Sequence, residues 1–329
     1  WLKSYPKLNY DLPHSHRQAR LAIGRTMFSF RIVRLSLLLV TVEGLAAPSK
    51  KTELTSVALS TDKIPHTIYL VGPWKPEALI ENNRKFVPSG TEFRYYNYKQ
   101  VDQSVKKISD KLESMNVHGA YAAYQQLRAW AFRIDLWRYM ILWQNGGVYF
   151  DAKIALQRNI SDWVDFTSNN LNLCWDAGER YANTVLAASP NNPILLATIR
   201  HAVANIQAHR YGARWGEPDH PWWGGALCIT SPCALTNVIL EGDFHPRVAC
   251  EMTYEVKQAN ATYVFLQTPS QLGGSDSEPV VLMYADKNLH EEMRSCSNCN
   301  DYNNLTHAHA LYCDEPAPPD EADPCELPS

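Results

Sequence analysis

The chain has 329 residues, 45% hydrophobic and 11% aromatic, enough to bury one large core or two small ones. A formal net charge of -3 gives no reason to expect nucleic acid as a partner, which would call for a basic surface. The 8 cysteines, an even number, suit an oxidising compartment, where they would pair as disulfides.

The sequence starts at Trp1, and the stretch before Met27 has no clear periodicity, so residues 1–26 are expected to lie outside the folded protein. From Met27, Arg31 and Arg34 precede the apolar run Leu35 to Val42, and Leu45-Ala46-Ala47-Pro48 follows. A basic start, a short apolar run and small residues form a secretory signal sequence over 27–47, cleaved near Ala46 or Ala47. The run falls short of the roughly 20 residues that span a bilayer, which favours cleavage over membrane anchoring through 32–47. Residues 48–62 read as a linker. Asn159-Ile160-Ser161, Asn260-Ala261-Thr262 and Asn304-Leu305-Thr306 are N-glycosylation acceptors, so the chain is expected in the Golgi lumen or secreted.

A folded domain is expected over 63–313. Lys63 to Val71 is rich in β-branched and aromatic residues and ends at Gly72-Pro73, a strand. A helix over Pro76 to Val87 and a second strand over Phe93 to Tyr98 complete a strand–helix–strand unit, which implies a parallel sheet with crossover helices. Leu127, Trp130, Ile134, Trp137 and Ile141 then recur at helical steps as an apolar stripe. Asn145-Gly146-Gly147 stops that helix, because glycine tolerates the left-handed conformation past a last turn. Val148 to Leu156 alternates with period two, so it reads as one strand on which Asp151 and Lys153 point the same way. Charge at the carboxyl end of a buried strand marks either a solvated ion pair or a ligand site. Asp135 and Arg138, three apart on one helix face, either pair with each other or present an acceptor and a donor to a polar ligand.

Arg-Ile-Asp-Leu-Trp-Arg-Tyr (133–139) followed by Gly-Gly-Val-Tyr-Phe-Asp-Ala-Lys (146–153) resembles the sugar-binding region of glycosyltransferase family 32. Its members typically read Ser-Asp-x-x-Arg-Tyr, then Gly-Gly-x-Tyr-x-Asp-x-Asp. The resemblance implies an α/β chain with a GT-A type nucleotide-sugar-binding fold, a mostly parallel central sheet and flanking helices. The nucleotide base would lie near Tyr69 to Gly72. Asp135 would bind sugar hydroxyls, Arg138 the sugar or phosphate, and Asp151 the donor or a metal. In the family, the motif's second aspartate helps hold a divalent metal, manganese or magnesium, that bridges the two phosphates. Here that position is Lys153. Its ammonium either takes over part of the metal's charge or repels the metal and weakens the enzyme.

Further along, Asn183 precedes the turn Ser189-Pro190-Asn191-Asn192-Pro193 and a helix over Ile194 to Gln207. By resemblance it is a candidate for the sugar pocket; asparagine also serves turns. Trp222-Trp223 are candidates for the acceptor side, since indoles stack on sugar faces but also fill cores. Ser231 stands where the family's Thr-Gly-Pro loop has glycine. His290 is a weaker candidate near the site and as a metal ligand, with a surface position as its alternative. Cys228 with Cys233, and Cys174 with Cys250, are possible disulfides. Cys296, Cys299, His307, His309 and Cys313 loosely suggest zinc, although an oxidising lumen favours disulfides. The acidic, proline-containing stretch 314–329 is expected to be disordered.

The resemblance implies a retaining transferase that moves a sugar from a nucleotide-sugar donor to a glycan, protein or lipid acceptor. The alternatives are a catalytically weak or inactive relative that only binds glycan or nucleotide, with Lys153 as the lesion, and a glycoside hydrolase, which needs two opposed carboxylates.

Overall fold

The computed structural model describes residues 62–176, 180–211, 226–254, 260–267, 279–294, 302–317 and 325. The expected extra segment, signal and linker up to residue 61 lie outside the described residues, as do Trp222, Trp223, Cys296 and Cys299. Among the described residues no helix is long and apolar enough to cross a membrane.

In chain order the elements are β1 (Thr67–Val71), α1 (Glu77–Asn83), β2 (Glu92–Tyr96), α2 (Tyr98–Ser114), α3 (Ala120–Gln126), α4 (Trp130–Asn145), β3 (Gly147–Phe150) and β4 (Ile154–Leu156). Then come β5 (Asn172–Asp176), β6 (Arg180–Ala188), α5 (Pro193–Gln207), α6 (Pro232–Glu241), β7 (Arg247–Thr253), β8 (Ala261–Gln267), β9 (Val280–Asp286), α7 (Lys287–Arg294) and α8 (Tyr302–His307). The strands form one sheet in the order β2-β1-β3-β6-β5-β7-β8-β9-β4.

The opening unit is the one expected from its β-branched and turn residues. β1 pairs in parallel with β2, Thr67 opposite Glu92, and with β3, Ile68 opposite Val148. The helix expected over 76–87 is α1 followed by a 3-10 turn at Arg84–Phe86. Farther across, the sheet departs from a mostly parallel one. Only β5 with β7 is again parallel, while β3–β6, β5–β6, β7–β8, β8–β9 and β4–β9 are antiparallel, so this α/β sheet is mixed. Short connections such as that between β5 and β6 return the chain antiparallel, whereas a parallel neighbour needs a long crossover.

Both faces are covered. Tyr69, Tyr149 and Leu186 face a core shared with α2 to α6, and Ile68, Val148, Phe150 and Val185 face a second core with Ile80 of α1. α2 is held open at its start by a reciprocal cap: the Gln100 amide donates to Asn97 Oδ1 and the Asn97 amide to Gln100 Oε1, each at 2.9 Å. α4 differs from the amphipathic helix expected. It starts at Trp130, and 12 of its 16 residues are buried. It packs against α2, α5, α8 and the sheet, so it has no broad solvent face. Leu127 lies before it, in a bridge to Tyr312, and Ile134 is only half-buried.

The single strand expected over 148–156 is two. A turn at 151–153, closed by the Ile154 amide on the Asp151 carbonyl at 2.9 Å, separates β3 from β4, and β4 pairs with β9 at the far end of the sheet. In a flat sheet those strands would stand roughly 29 Å apart, at about 4.8 Å per strand. Three linking residues, each reaching about 3.5 Å, cannot span that, so the sheet must curl until its edge strand β4 comes back to the end of β3 at this turn.

Disulfides join Cys174 to Cys250, tying β5 to β7, and Cys228 to Cys233. A third joins Cys313 to Cys325, which takes Cys313 out of the zinc alternative. Of the acidic stretch, residues 314–317 and 325 are among those described, and the first of them make contacts. Arg128 donates to the Glu315 carbonyl at 2.7 Å, the Tyr312 amide to the Glu315 carboxylate at 2.9 Å, and His209 pairs with Asp314 at 3.0 Å.

Candidate active site

The site forms where α4 ends and the curled sheet closes. Gly146, at φ +65°, caps α4 and passes its amide hydrogen to the Leu142 carbonyl. Gly147, at φ +105°, then brings the backbone against β1: a Cβ there would stand 2.6 Å from the Thr67 carbonyl oxygen. Only glycine allows this approach, and it sets where β3 delivers Asp151.

Arg138 is the hub. It is 6% exposed and donates to the Asn183 carbonyl at 2.7 Å. Its guanidinium pairs with Asp135 at 2.8 Å and Asp151 at 3.4 Å, and lies over the Tyr149 ring, 4.4 Å from the centroid. Its Nε is buried without a hydrogen-bond partner.

Both oxygens of Asp135 are engaged. One accepts from Arg138 and from Asn183 at 3.0 Å, and the other accepts from the Ser231 hydroxyl. Ser231 occupies the N-cap position of α6 but makes no side-chain cap, having given its hydroxyl to Asp135. Burial raises the Asp135 carboxyl above its usual range, and Arg138 and Ser231 only partly offset it. In this arrangement Asp135 orients Arg138, Asn183 and Ser231. Asp135 and Asp151 share the Arg138 guanidinium instead of standing opposed across a cleft as the acid and base of a glycoside hydrolase do.

Asp151 and Lys153 are the charges that solvent reaches, with side chains 20% and 19% exposed. Asp151 accepts from the Tyr149 hydroxyl at 2.9 Å on one oxygen and meets Lys153 Nζ at 3.2 Å on the other. Burial pushes its carboxyl up, but Lys153 and Arg138 outweigh that and hold it below the usual range. Burial opposes the Lys153 ammonium, yet Tyr263 and Asp151 keep it protonated.

The remaining expected residues are distributed unevenly. Asn183 joins the cluster, its amide nitrogen also donating to the Tyr139 hydroxyl at 3.2 Å. Tyr69 does not: it is 1% exposed, its ring sits beneath Gly147 in the core, and burial raises its hydroxyl to about 12. Alternate residues of β1 face opposite cores, so the side chain goes inward while only the strand's end at Gly72 nears the site. α7 reaches that end through Met293, which lies beside Gly72, and His290 is one turn earlier on the same helix. Tyr263 of β8 was not singled out by the sequence. Its ring centroid lies 5.9 Å from Lys153 Nζ.

A hard divalent cation does not suit this set. Among the described residues no three His, Cys, Asp or Glu side chains cluster as ligands, His290 included. Asp151 already accepts from a phenol and two cations. At about 4 Å from the Lys153 ammonium a divalent ion would be repelled by roughly 8 kcal/mol at an effective dielectric near 20.

Residues 76–170 match the family described as glycosyltransferase sugar-binding region containing DXD motif. No curated protein matches the chain. Among solved structures, the PaToxG glycosyltransferase is similar at 16% identity and a TM-score of 0.35, covering 55% of this chain and 70% of its own. The ligand-free glycosyltransferase domain of the YGT toxin is similar at 13% identity and a TM-score of 0.31, over 51% of this chain and 54% of its own. The UDP-bound form of that domain gives 13% identity and a TM-score of 0.25, over 47% and 51%. Residues 76–170, with Asp135, Arg138, Asp151 and Lys153 among them, are similar to a glycosyltransferase sugar-binding region.

Proposed function

We propose that the chain transfers a sugar from a nucleotide-sugar donor to a glycan, protein or lipid acceptor, with retention of anomeric configuration, in the secretory pathway. The observation that carries the reading is the Arg138–Asp151–Lys153 cluster at the carboxyl end of β3, inside the matched region. Ligands of open α/β sheets gather at the carboxyl ends of strands. When the glycosidic bond of a nucleotide sugar breaks, negative charge develops on the diphosphate, and fixed cations nearby stabilise it. Lys153 is the cation that a phosphate can reach; Arg138, behind it, keeps Asp151 ionised and oriented. Asn183 uses both amide hydrogens on Asp135 and Tyr139 and keeps its side-chain oxygen for a ligand hydroxyl.

The secretory assignment is supported by three disulfides among the described residues and by the exposure of Asn159, Asn260 and Asn304 in their acceptor triplets. The test is release of nucleoside diphosphate from a panel of nucleotide sugars, with and without acceptor glycans. Asp151→Ala should abolish release while circular dichroism stays native; undiminished release would remove the site assignment. A binding-only relative remains the second reading, favoured by the committed oxygens of Asp151. It predicts nucleotide binding with no release from any donor.

A further inference from the structure

We propose that this site holds the diphosphate of its donor on protein cations without a divalent metal, and that Tyr263 positions the Lys153 ammonium which does so. The inference rests on the reading of the site as a nucleotide-sugar donor site. Lys153 ends the turn 151–153 between β3 and β4, and its backbone is fixed from the other end of the sheet: the Asp286 amide donates to the Lys153 carbonyl at 2.9 Å. β8, beside β9, carries Tyr263, which is 7% exposed. The ammonium is thereby set between the Asp151 carboxylate at 3.2 Å and the Tyr263 ring at 5.9 Å.

An ammonium has three N–H donors. The carboxylate takes one and the ring face attracts the cation from a second side. What remains faces the exposed fifth of the side chain, where a phosphate oxygen can accept. Asp135, Arg138, Asp151 and Lys153 sum to zero charge. The curl of the sheet is what makes the arrangement possible, because it brings β8 to a lysine three residues past the end of β3 in sequence.

The test is titration calorimetry of the full chain with uridine, guanosine, cytidine and adenosine diphosphates, each in EDTA and in manganese. At least one should bind with the same Kd, within twofold, in both buffers. Lys153→Ala should weaken that Kd at least tenfold. Lys153→Asp, which restores the acidic motif position, should bind manganese measurably by electron paramagnetic resonance and bind the nucleotide at least tenfold more tightly with manganese than with EDTA. Tyr263→Leu should weaken nucleotide binding about tenfold and Tyr263→Phe, which keeps the ring, should restore it.

Nucleotide binding by the native chain that requires manganese would overturn this inference alone. An unchanged Kd in Lys153→Ala would do the same. If no diphosphate binds in either buffer, the donor-site reading falls and takes the inference with it. Should Tyr263→Leu fail to fold, the Lys153 variants and the phenylalanine variant still decide: tenfold weaker binding in Tyr263→Phe would contradict positioning by the ring.

Discussion

At the scale of residues, the cluster divides its two aspartates by exposure. Asp135 is enclosed and committed to Arg138, Asn183 and Ser231, whereas Asp151 faces solvent beside Lys153. Removing Asp135 would leave a buried guanidinium short of its nearest carboxylate. Breaking such a pair from one side costs about 3–5 kcal/mol, so Asp135→Ala should lower the urea midpoint accordingly. A loss below about 1 kcal/mol would show that Asp151 alone compensates Arg138. Asp135, Arg138, Asp151 and Lys153 were legible in the sequence because they lie close together around one helix end. Their division of labour was not, because the third partner of Asp135, Ser231, comes from α6 and the ring beside Lys153 comes from β8. The core position of Tyr69 was hidden for a related reason: a strand buried on both faces sends every other side chain into each core, and alternation alone does not tell a ligand face from a packed one.

At the scale of elements, the step from α4 to β3 was read correctly as a glycine stop, and the structure gives each glycine a separate duty. Gly146 ends the helix; Gly147 lets β3 lie against Thr67. Gly147→Ala would put a Cβ 2.6 Å from a backbone oxygen that cannot move without disturbing the β1–β3 pairing. Positive-φ strain and overpacking together should cost about 2–4 kcal/mol, with a parallel fall in nucleotide release because Asp151 shifts with β3. A variant with the native thermal midpoint and native turnover would mean that the strand relaxes freely. The break between β3 and β4 had no local signal, since Val148 to Leu156 alternates without interruption. What splits it is long-range pairing of β4 with β9, which overrides the local pattern.

At the scale of the whole molecule, the curl that brings β4 back beside the site is accompanied by a return of residues 302–312 to the first core. Leu305, Ala310, Leu311 and Tyr312 are fully buried there, and Tyr312 bridges back to Leu127 just ahead of α4. Its carboxyl-terminal neighbours are pinned by Arg128 and by the Cys313–Cys325 disulfide. Residues 302–312 show little apolar periodicity, because short turns and side-chain contacts rather than a long helix carry their burial. Truncation after residue 301 should therefore unfold more than a tail. Leu305, Leu311 and Tyr312 each contribute about 2 kcal/mol by burial, roughly 6 kcal/mol together, against a typical net stability of about 5–15 kcal/mol. The truncated chain should be recovered in aggregates or melt well below the intact one. Replacing only Cys313 and Cys325 by serine should cost about 3 kcal/mol, the loop-closure figure for a loop of about this length, and leave a folded chain. Soluble yield and thermal midpoints of the two variants separate the contributions. A truncated chain that melts within a degree or two of the intact protein would show that the first core closes without its carboxyl-terminal segment.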